Sequence, residues 1–191
     1  MAQEGAVSDA TVDDRQFRQA STLRDGTPVT IRAMRADDRE RLIAAFHKLD
    51  PGTVYTRFFS FVKEIPASSL AHVDEVDFDR VGALVVTIGS GDDEIVIGGA
   101  SYIVDASITD GKAAEVAFTI EEDYQGQGLA SQLLALLTTI ARRHGVTRFE
   151  ADVLSGNAPM LTVFQRCGLP THRRSEGGVM HLTFDLTAPA G

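Results

Sequence analysis

The chain has 191 residues, of which 43% are hydrophobic and 24% charged, and this length and composition predict one compact domain with its own core. Its formal charge of −9 argues against a nucleic-acid partner, because such binding depends on clustered Lys and Arg on phosphates. The same acidity favours a cationic substrate, although a role in solubility alone explains it equally well.

The single cysteine, Cys167, excludes an internal disulfide and any cysteine-based metal site. No apolar stretch is long enough to span a bilayer, and the N-terminus lacks the basic start and apolar run of a secretion signal. We therefore expect a soluble, cytoplasmic protein that has no membrane partner and needs no metal.

The N-terminal half begins with residues 1–20, whose polar, acidic and aperiodic sequence predicts a disordered leader before a domain over residues 21–187. Residues 28–34 predict a first strand, and an amphipathic helix follows up to Asp50-Pro51-Gly52. The aromatic-rich residues 53–64 predict a second, short helix that either faces the core or lines a substrate cleft.

Three β-branched runs follow, at residues 82–88, 94–104 and 114–120. The turn signals Ser90-Gly91-Asp92-Asp93 and Asp110-Gly111 separate them. These runs predict three consecutive antiparallel strands.

From Gly128 the apolar period becomes helical, which predicts a long helix ending at Gly145. Residues 147–153 then alternate as a strand, residues 157–167 form a helix, and residues 178–186 form a final strand. This alternation implies crossover connections on a partly parallel sheet.

The strongest local feature is the turn with Gly126 and Gly128 between the third strand of the meander and the long helix. The first amides of a helix lack partners and carry partial positive charge, so glycines that allow close approach create a phosphate cradle. An isolated Gly-x-Gly also serves simple chain reversal. The spacing excludes a Walker-type loop and a dinucleotide fingerprint, since Gly-Lys-Ser/Thr and a third glycine are missing.

The loop reads Gln125-Gly126-Gln127-Gly128-Leu129-Ala130 and fits the pattern Gln/Arg-x-x-Gly-x-Gly/Ala of the GNAT superfamily of N-acetyltransferases. The resemblance covers about residues 28–186. It implies an α/β (α+β) GNAT fold: a mixed sheet of about six or seven strands with an antiparallel N-terminal meander, a splayed parallel pair at the CoA site, and about four flanking helices.

The resemblance also implies acetyl-CoA as co-substrate. Strand backbone would pair with its pantetheine arm, an amide there would polarise the acetyl carbonyl, and loop amides would hold the pyrophosphate. Asn157 is the family's usual polar contact beyond the next strand and is equally suited to cap a helix. The expected cofactor contacts are Phe118, Thr119, Ile120, Gln125, Gly126, Gln127, Gly128, Leu129, Ala130, Ser131 and Asn157.

A narrower resemblance lies in Ala114-Glu115-Val116-Ala117-Phe118-Thr119-Ile120, Thr30-Ile31-Arg32 and Tyr55-Thr56-Arg57-Phe58-Phe59-Ser60. These segments are similar to GNAT domains of bacterial Pat-type protein lysine acetyltransferases, which commonly acetylate acyl-CoA synthetases. This likeness implies a protein substrate presenting a lysine. The alternatives are a small-amine acetyltransferase, for a polyamine, amino acid or aminoglycoside, and a CoA-sensing module without turnover.

Glu115 is the expected general base. A lysine side chain has a pKa of ~10.4, so at neutral pH only about one in a thousand is a free amine. Glu115 is the one carboxylate in an otherwise apolar strand, and burial would raise its pKa to a useful value. The resemblance assigns the same role, while a solvent-facing residue or an arginine's partner is the alternative. We interpret Glu121, Glu122 and Asp123 as solvated turn residues.

One departure from the family concerns the leaving group. Many GNAT enzymes carry a tyrosine that protonates the CoA thiolate, where this chain has Phe164. Water, another residue or release of the free thiolate would replace it. Cys167 and His144 receive no catalytic role, because such residues usually pack or cap helices.

Overall fold

The structure is a computed structural model that describes residues 13–108 and 111–188. The strands are β1 (Arg18–Thr22), β2 (Pro28–Ala33), β3 (Val81–Ile88), β4 (Ile95–Val104), β5 (Ala113–Ile120), β6 (Arg148–Leu154), β7 (Thr171–Glu176) and β8 (Val179–Asp185). The helices are α1 (Arg39–Phe46), α2 (Pro51–Phe58), α3 (Ala67–Ala71), α4 (Leu129–Arg143) and α5 (Ala158–Gln165). Within these ranges, no helix combines the length and apolar character needed to cross a bilayer.

The eight strands of the described residues form one sheet in the order β1-β2-β3-β4-β5-β6-β8-β7, and among them only the neighbours β5 and β6 run parallel. The mixed fold, the antiparallel meander and the parallel pair are confirmed. The described residues contain eight strands and five helices, compared with the expected six or seven strands and about four helices. The strand β7 carries polar side chains that show no apolar alternation, and it pairs with β8 around Gly177 and Gly178, which both have positive φ.

The strand β1 corrects the predicted leader. Residues 18–20 were expected to be disordered, yet they pair with β2, with Arg18 opposite Arg32 and Ala20 opposite Thr30. The segment is held by backbone hydrogen bonds and has few buried side chains, so composition gives no signal for it. The remaining leader, residues 1–12, lies outside the described residues.

The helices before the meander are shorter than predicted. Helix α1 ends at Phe46, and Pro51, which was expected to close a helix, opens α2. Proline suits the first helical position because its missing N–H would have no partner there. Helix α2 ends where Phe59 adopts the left-handed conformation, at φ 55°.

The helices cover both faces of the sheet. Strand residues such as Leu84, Tyr102 and Val116 pack with Leu133 and Leu137 of α4 in the main core. Successive side chains along a strand point to opposite faces of the sheet, so Ala83 and Ala117 face the side away from α4. Helices α1 to α3 cover that second side, where Leu42, Phe46 and Leu70 lie over the sheet.

A buried ion network joins three segments beside the meander. Arg32 of β2 is 1% exposed and donates two hydrogen bonds of 2.7 Å to the carboxylate of Asp38, which precedes α1. The same guanidinium donates to Glu94 at 2.9 and 3.1 Å, and Thr87 of β3 donates to that carboxylate at 2.9 Å. Arg32, part of the motif singled out above, is therefore a structural residue.

Candidate functional site

A cleft of about 530 Å³ opens where β5 and β6 separate. The two strands pair only from Ala113 opposite Arg148 to Glu115 opposite Glu150, although both continue beyond that point. From Val116 onwards the backbone of β5 pairs with β4 alone, so its other side is open. An extended ligand can add to this open edge as a further strand.

The N-terminus of α4 lies at one end of the cleft. Gly126 and Gly128 have φ values of +71° and +92°, which strongly favour glycine, and no side chain caps the helix at Gly128. The N–H of Gln132 donates to the carbonyl oxygen of Gly128 at 3.2 Å, so the amides of residues 129–131 precede the first helical bond. Free amides and the positive end of the helix dipole make this turn suitable for a phosphate.

The two glutamines of the loop brace it through their side chains. Gln125 donates to the carbonyl oxygen of Ile120 at 3.0 Å and to the hydroxyl of Thr53 at 3.3 Å. Gln127 accepts a hydrogen bond from the N–H of Asp25 at 3.2 Å and donates to its carboxylate at 3.3 Å. The loop conformation is therefore supported from both sides, by α2 and by the β1–β2 turn.

Arg24 is a cleft residue that the sequence analysis missed. Its guanidinium donates to the carbonyl oxygen of Gly126 at 2.9 Å and lies 3.6 Å from the point that a Cβ on Gly128 would occupy. An arginine here adds positive charge beside the glycine turn. Its position depends on the β1–β2 hairpin, which could not be expected once β1 was assigned to the leader.

Glu115 lies at the apex of the cleft, where pairing between β5 and β6 ends. Its side chain is exposed, so the burial expected for it is absent. Arg57 of α2 lines the same cleft, and burial lowers the pKa of its guanidinium while the negative charge of Glu115 partly offsets this effect. Glu115 is thus an accessible carboxylate that interacts electrostatically with the guanidinium of Arg57.

Helix α5 forms the opposite wall. Asn157 caps this helix, since its Oδ1 accepts the N–H of Met160 at 3.2 Å, and it also lines the cleft. Phe164 is 3% exposed and packs against Phe118 and Phe184, with ring centroids 5.7 and 4.9 Å away. The position at which the family resemblance leads one to expect a proton donor is therefore apolar.

Every predicted cofactor contact except Gln127 lines this one cleft, together with Glu115.

The expectation for the acidic turn was wrong for Glu121, whose Oε2 is buried without a hydrogen-bond partner among the described residues. Burial raises the pKa of Glu121, because α1 and α2 cover this end of β5. Glu122 accepts the N–H of Asp50 at 3.0 Å, and Asp123 is exposed as expected.

His144 and Cys167 have structural partners. His144 contacts the carboxylates of Asp14 and Asp79 at 3.0 and 2.9 Å, and the thiol of Cys167 donates to the carbonyl oxygen of Phe164 at 3.0 Å. In residues 13–108 and 111–188, no three His, Cys, Asp or Glu side chains are grouped as a metal site would need.

Comparison with known proteins agrees with this geometry. The profile of the Acetyltransferase (GNAT) family matches residues 53–169. Acetyltransferase PA5475 of Pseudomonas aeruginosa is 33% identical over 139 residues, which are 73% of each chain. Acetyltransferase Pat of Mycolicibacterium smegmatis is 33% identical over 158 residues, 83% of this chain but 46% of that protein, so this chain spans about half of that relative.

Among solved structures, the GNAT domain of S. lividans PAT is 33% identical, with a TM-score of 0.77 over 88% of this chain and 96% of that one. With the family profile and the two relatives, this likeness establishes that the chain belongs to the GNAT family and is an acetyltransferase.

Proposed function

We propose that the chain transfers the acetyl group of acetyl-CoA to a lysine side-chain amine of a protein, such as an acyl-CoA synthetase, in the cytoplasm. The observation that carries the proposal is the cleft itself. A phosphate cradle lies at one end, an open strand edge runs along it, and the accessible carboxylate of Glu115 lies at the other end.

Three features of the cleft support binding of acetyl-CoA. The amides of residues 129–131 and the guanidinium of Arg24 would hold the pyrophosphate. The open backbone of residues 118–120 would pair with the pantetheine arm, and an amide there would polarise the acetyl carbonyl. When bound, acetyl-CoA would supply a thioester that is already activated for attack by an amine.

Glu115 would take the proton from the incoming amine, directly or through a water. Its exposed side chain would be accessible to a lysine that arrives from solvent. Phe164 is apolar and buried, so we propose that the CoA thiolate leaves unprotonated or takes its proton from water.

The protein substrate is supported by the likeness to Pat of Mycolicibacterium smegmatis and to the S. lividans PAT domain, both 33% identical. The single cysteine fits a reducing compartment, which supports a cytoplasmic setting.

The decisive experiment incubates the protein and labelled acetyl-CoA with a panel of acyl-CoA synthetases and small amines. We expect label on a synthetase, and no label when its active-site lysine is changed to arginine. A protein in which Glu115→Gln has been introduced serves as the control for enzymatic transfer. Label found only on small amines would contradict a protein substrate.

A further inference from the structure

A second cavity, of about 190 Å³, lies between the sheet and helices α1 to α3. Its floor crosses three neighbouring strands at one register: Ala83 of β3 pairs with Ser101 of β4, which pairs with Ala117 of β5. Two residues further along the strands, on the same face of the sheet, Gly99 of β4 pairs with Val85 of β3 and with Thr119 of β5. The helices leave a space above the sheet because four residues of the floor are small: Ala83, Gly99, Ser101 and Ala117.

The lining of this cavity is mainly apolar. Its polar members among the described residues are Arg57, Ser69, His72, Ser101, Thr119 and Glu121. The helix side is formed by residues such as Leu42, Phe46 and Leu70. An apolar cavity of about 150 Å³ is large enough to hold benzene. This cavity therefore suits an alkyl chain.

The cavity and the cleft share a wall, since Arg57, Ala117 and Thr119 line both. In the proposed function the pantetheine arm runs from the cradle along residues 120 to 118. The acyl carbon would then lie near Ala117, which lines both the cleft and the cavity. A chain that continues beyond the acetyl methyl could extend past these shared residues into the cavity.

We propose that this cavity is an acyl-chain pocket, and that the protein binds and transfers straight acyl groups of up to about four to six carbons as well as acetyl. The transfer balances as it does for acetyl: Glu115 takes the amine proton, the acyl carbon exchanges its bond to sulfur for one to nitrogen, and CoA leaves as thiolate. The inference rests on acyl-CoA use in the cleft, not on the identity of the acceptor.

The test measures binding by calorimetry for acetyl-, propionyl-, butyryl- and hexanoyl-CoA. Each methylene buried in an apolar pocket should lower Kd about fourfold, so butyryl-CoA should bind at least about tenfold more tightly than acetyl-CoA. A wild-type protein that binds butyryl-CoA no more tightly than acetyl-CoA overturns the proposal.

Two variants fill the cavity from opposite sides. Ala83→Leu adds volume from β3, two strands from β5, and Ala45→Leu adds volume from α1. Each variant should keep the wild-type affinity for acetyl-CoA, but its affinity should no longer increase with the length of the acyl chain. Ala20→Leu, on the exposed face of β1, is the control and should keep the gain.

The outcomes separate this proposal from the proposed function. The pocket is overturned if affinity still increases with acyl-chain length in both filled variants and both have wild-type melting temperatures. In that case the variants fold and the acyl chain binds elsewhere. A protein that binds none of the four thioesters overturns acyl-CoA use itself. Transfer of label to a small amine alone contradicts only the protein acceptor and leaves the chain-length series intact.

Discussion

Glu115 lies within β5 and Glu121 directly follows that strand, and the two carboxylates have different surroundings. Glu115 is exposed at the apex of the cleft, whereas the Oε2 of Glu121 is buried under α1 and α2. Glu115 is therefore the more accessible of these two carboxylates. The partly buried guanidinium of Arg57 interacts electrostatically with the carboxylate of Glu115.

The change Glu115→Gln should act on the chemical step. It keeps the size of the side chain but removes its basicity, so kcat should fall by ~10²–10⁴ while the Kd of acetyl-CoA stays unchanged. Alkaline pH supplies free amine, so the deficit should shrink as the pH rises. The measurement is kcat against pH for both proteins.

The matched control is Glu150→Gln. Glu150 pairs with Glu115 in register, and its carboxylate accepts a hydrogen bond from Arg148 at 3.1 Å. This variant should keep the wild-type rate. A wild-type rate for Glu115→Gln would remove Glu115 from the mechanism.

Arg24→Gln should weaken binding of acetyl-CoA by about 1.5–3 kcal/mol, the usual range for hydrogen bonds to charged groups. The loss comes from the phosphates, so the affinity for acetyl-pantetheine, which lacks them, should not change. Calorimetry with both ligands makes the comparison. An equal loss for both ligands would mean that Arg24 only supports the fold of the loop.

At the scale of elements, the loop before α4 and the strand β5 together create the site. The strand presents an open edge because β5 separates from β6, and the helix presents the amides that precede its first backbone hydrogen bond. Phosphate binding should therefore depend on the helix N-terminus as a unit.

Gly128→Glu should abolish the rise in melting temperature that millimolar acetyl-CoA produces. The substitution puts a side chain and a negative charge at the cradle, and binding to the native state alone is what raises stability. Gly145→Glu is the control, because Gly145 also has positive φ, at 74°, but lies at the far end of α4. It should lower the melting temperature and keep the shift. A normal shift in Gly128→Glu would mean that the loop is only a turn.

The ion network around Arg32 should make stability fall in acid. Hydrogen bonds from Arg32 hold the pKa of Glu94 below its usual value. A carboxylate with a lowered folded-state pKa stabilises the fold above its unfolded pKa of ~4.3, and this contribution is lost as the pH falls through the folded value. Urea unfolding at a series of pH values should show this loss in wild type.

In Glu94→Gln the free energy of unfolding should be lower at neutral pH and should depend less on acid. Glu40→Gln, at an exposed position in α1, is the control and should follow the wild-type curve. An unchanged acid dependence in Glu94→Gln would show that this carboxylate does not contribute to acid unfolding.

At the scale of the whole molecule, the sequence predicts the elements that bury apolar side chains or contain glycine turns. The meander, α4 and the glycine loop are confirmed because apolar periodicity and turn residues mark them. The strands β1 and β7 have mainly exposed polar side chains and were missed. Arg24, Arg57 and Glu121 were not expected in these environments, since helices and turns distant in sequence create them.

The strand β1 has a consequence for the behaviour of shortened chains. It covers the edge of β2, whose Val29 and Ile31 are 4% and 0% exposed. A chain that begins at Leu23 would leave a row of unpaired N–H and C=O groups on an apolar strand, which invites pairing between molecules. We expect this chain to aggregate, as measured by light scattering, whereas a chain that begins at residue 13 keeps β1 and should scatter like the full chain. Equal scattering from all three chains would show that β1 does not protect the sheet from self-association.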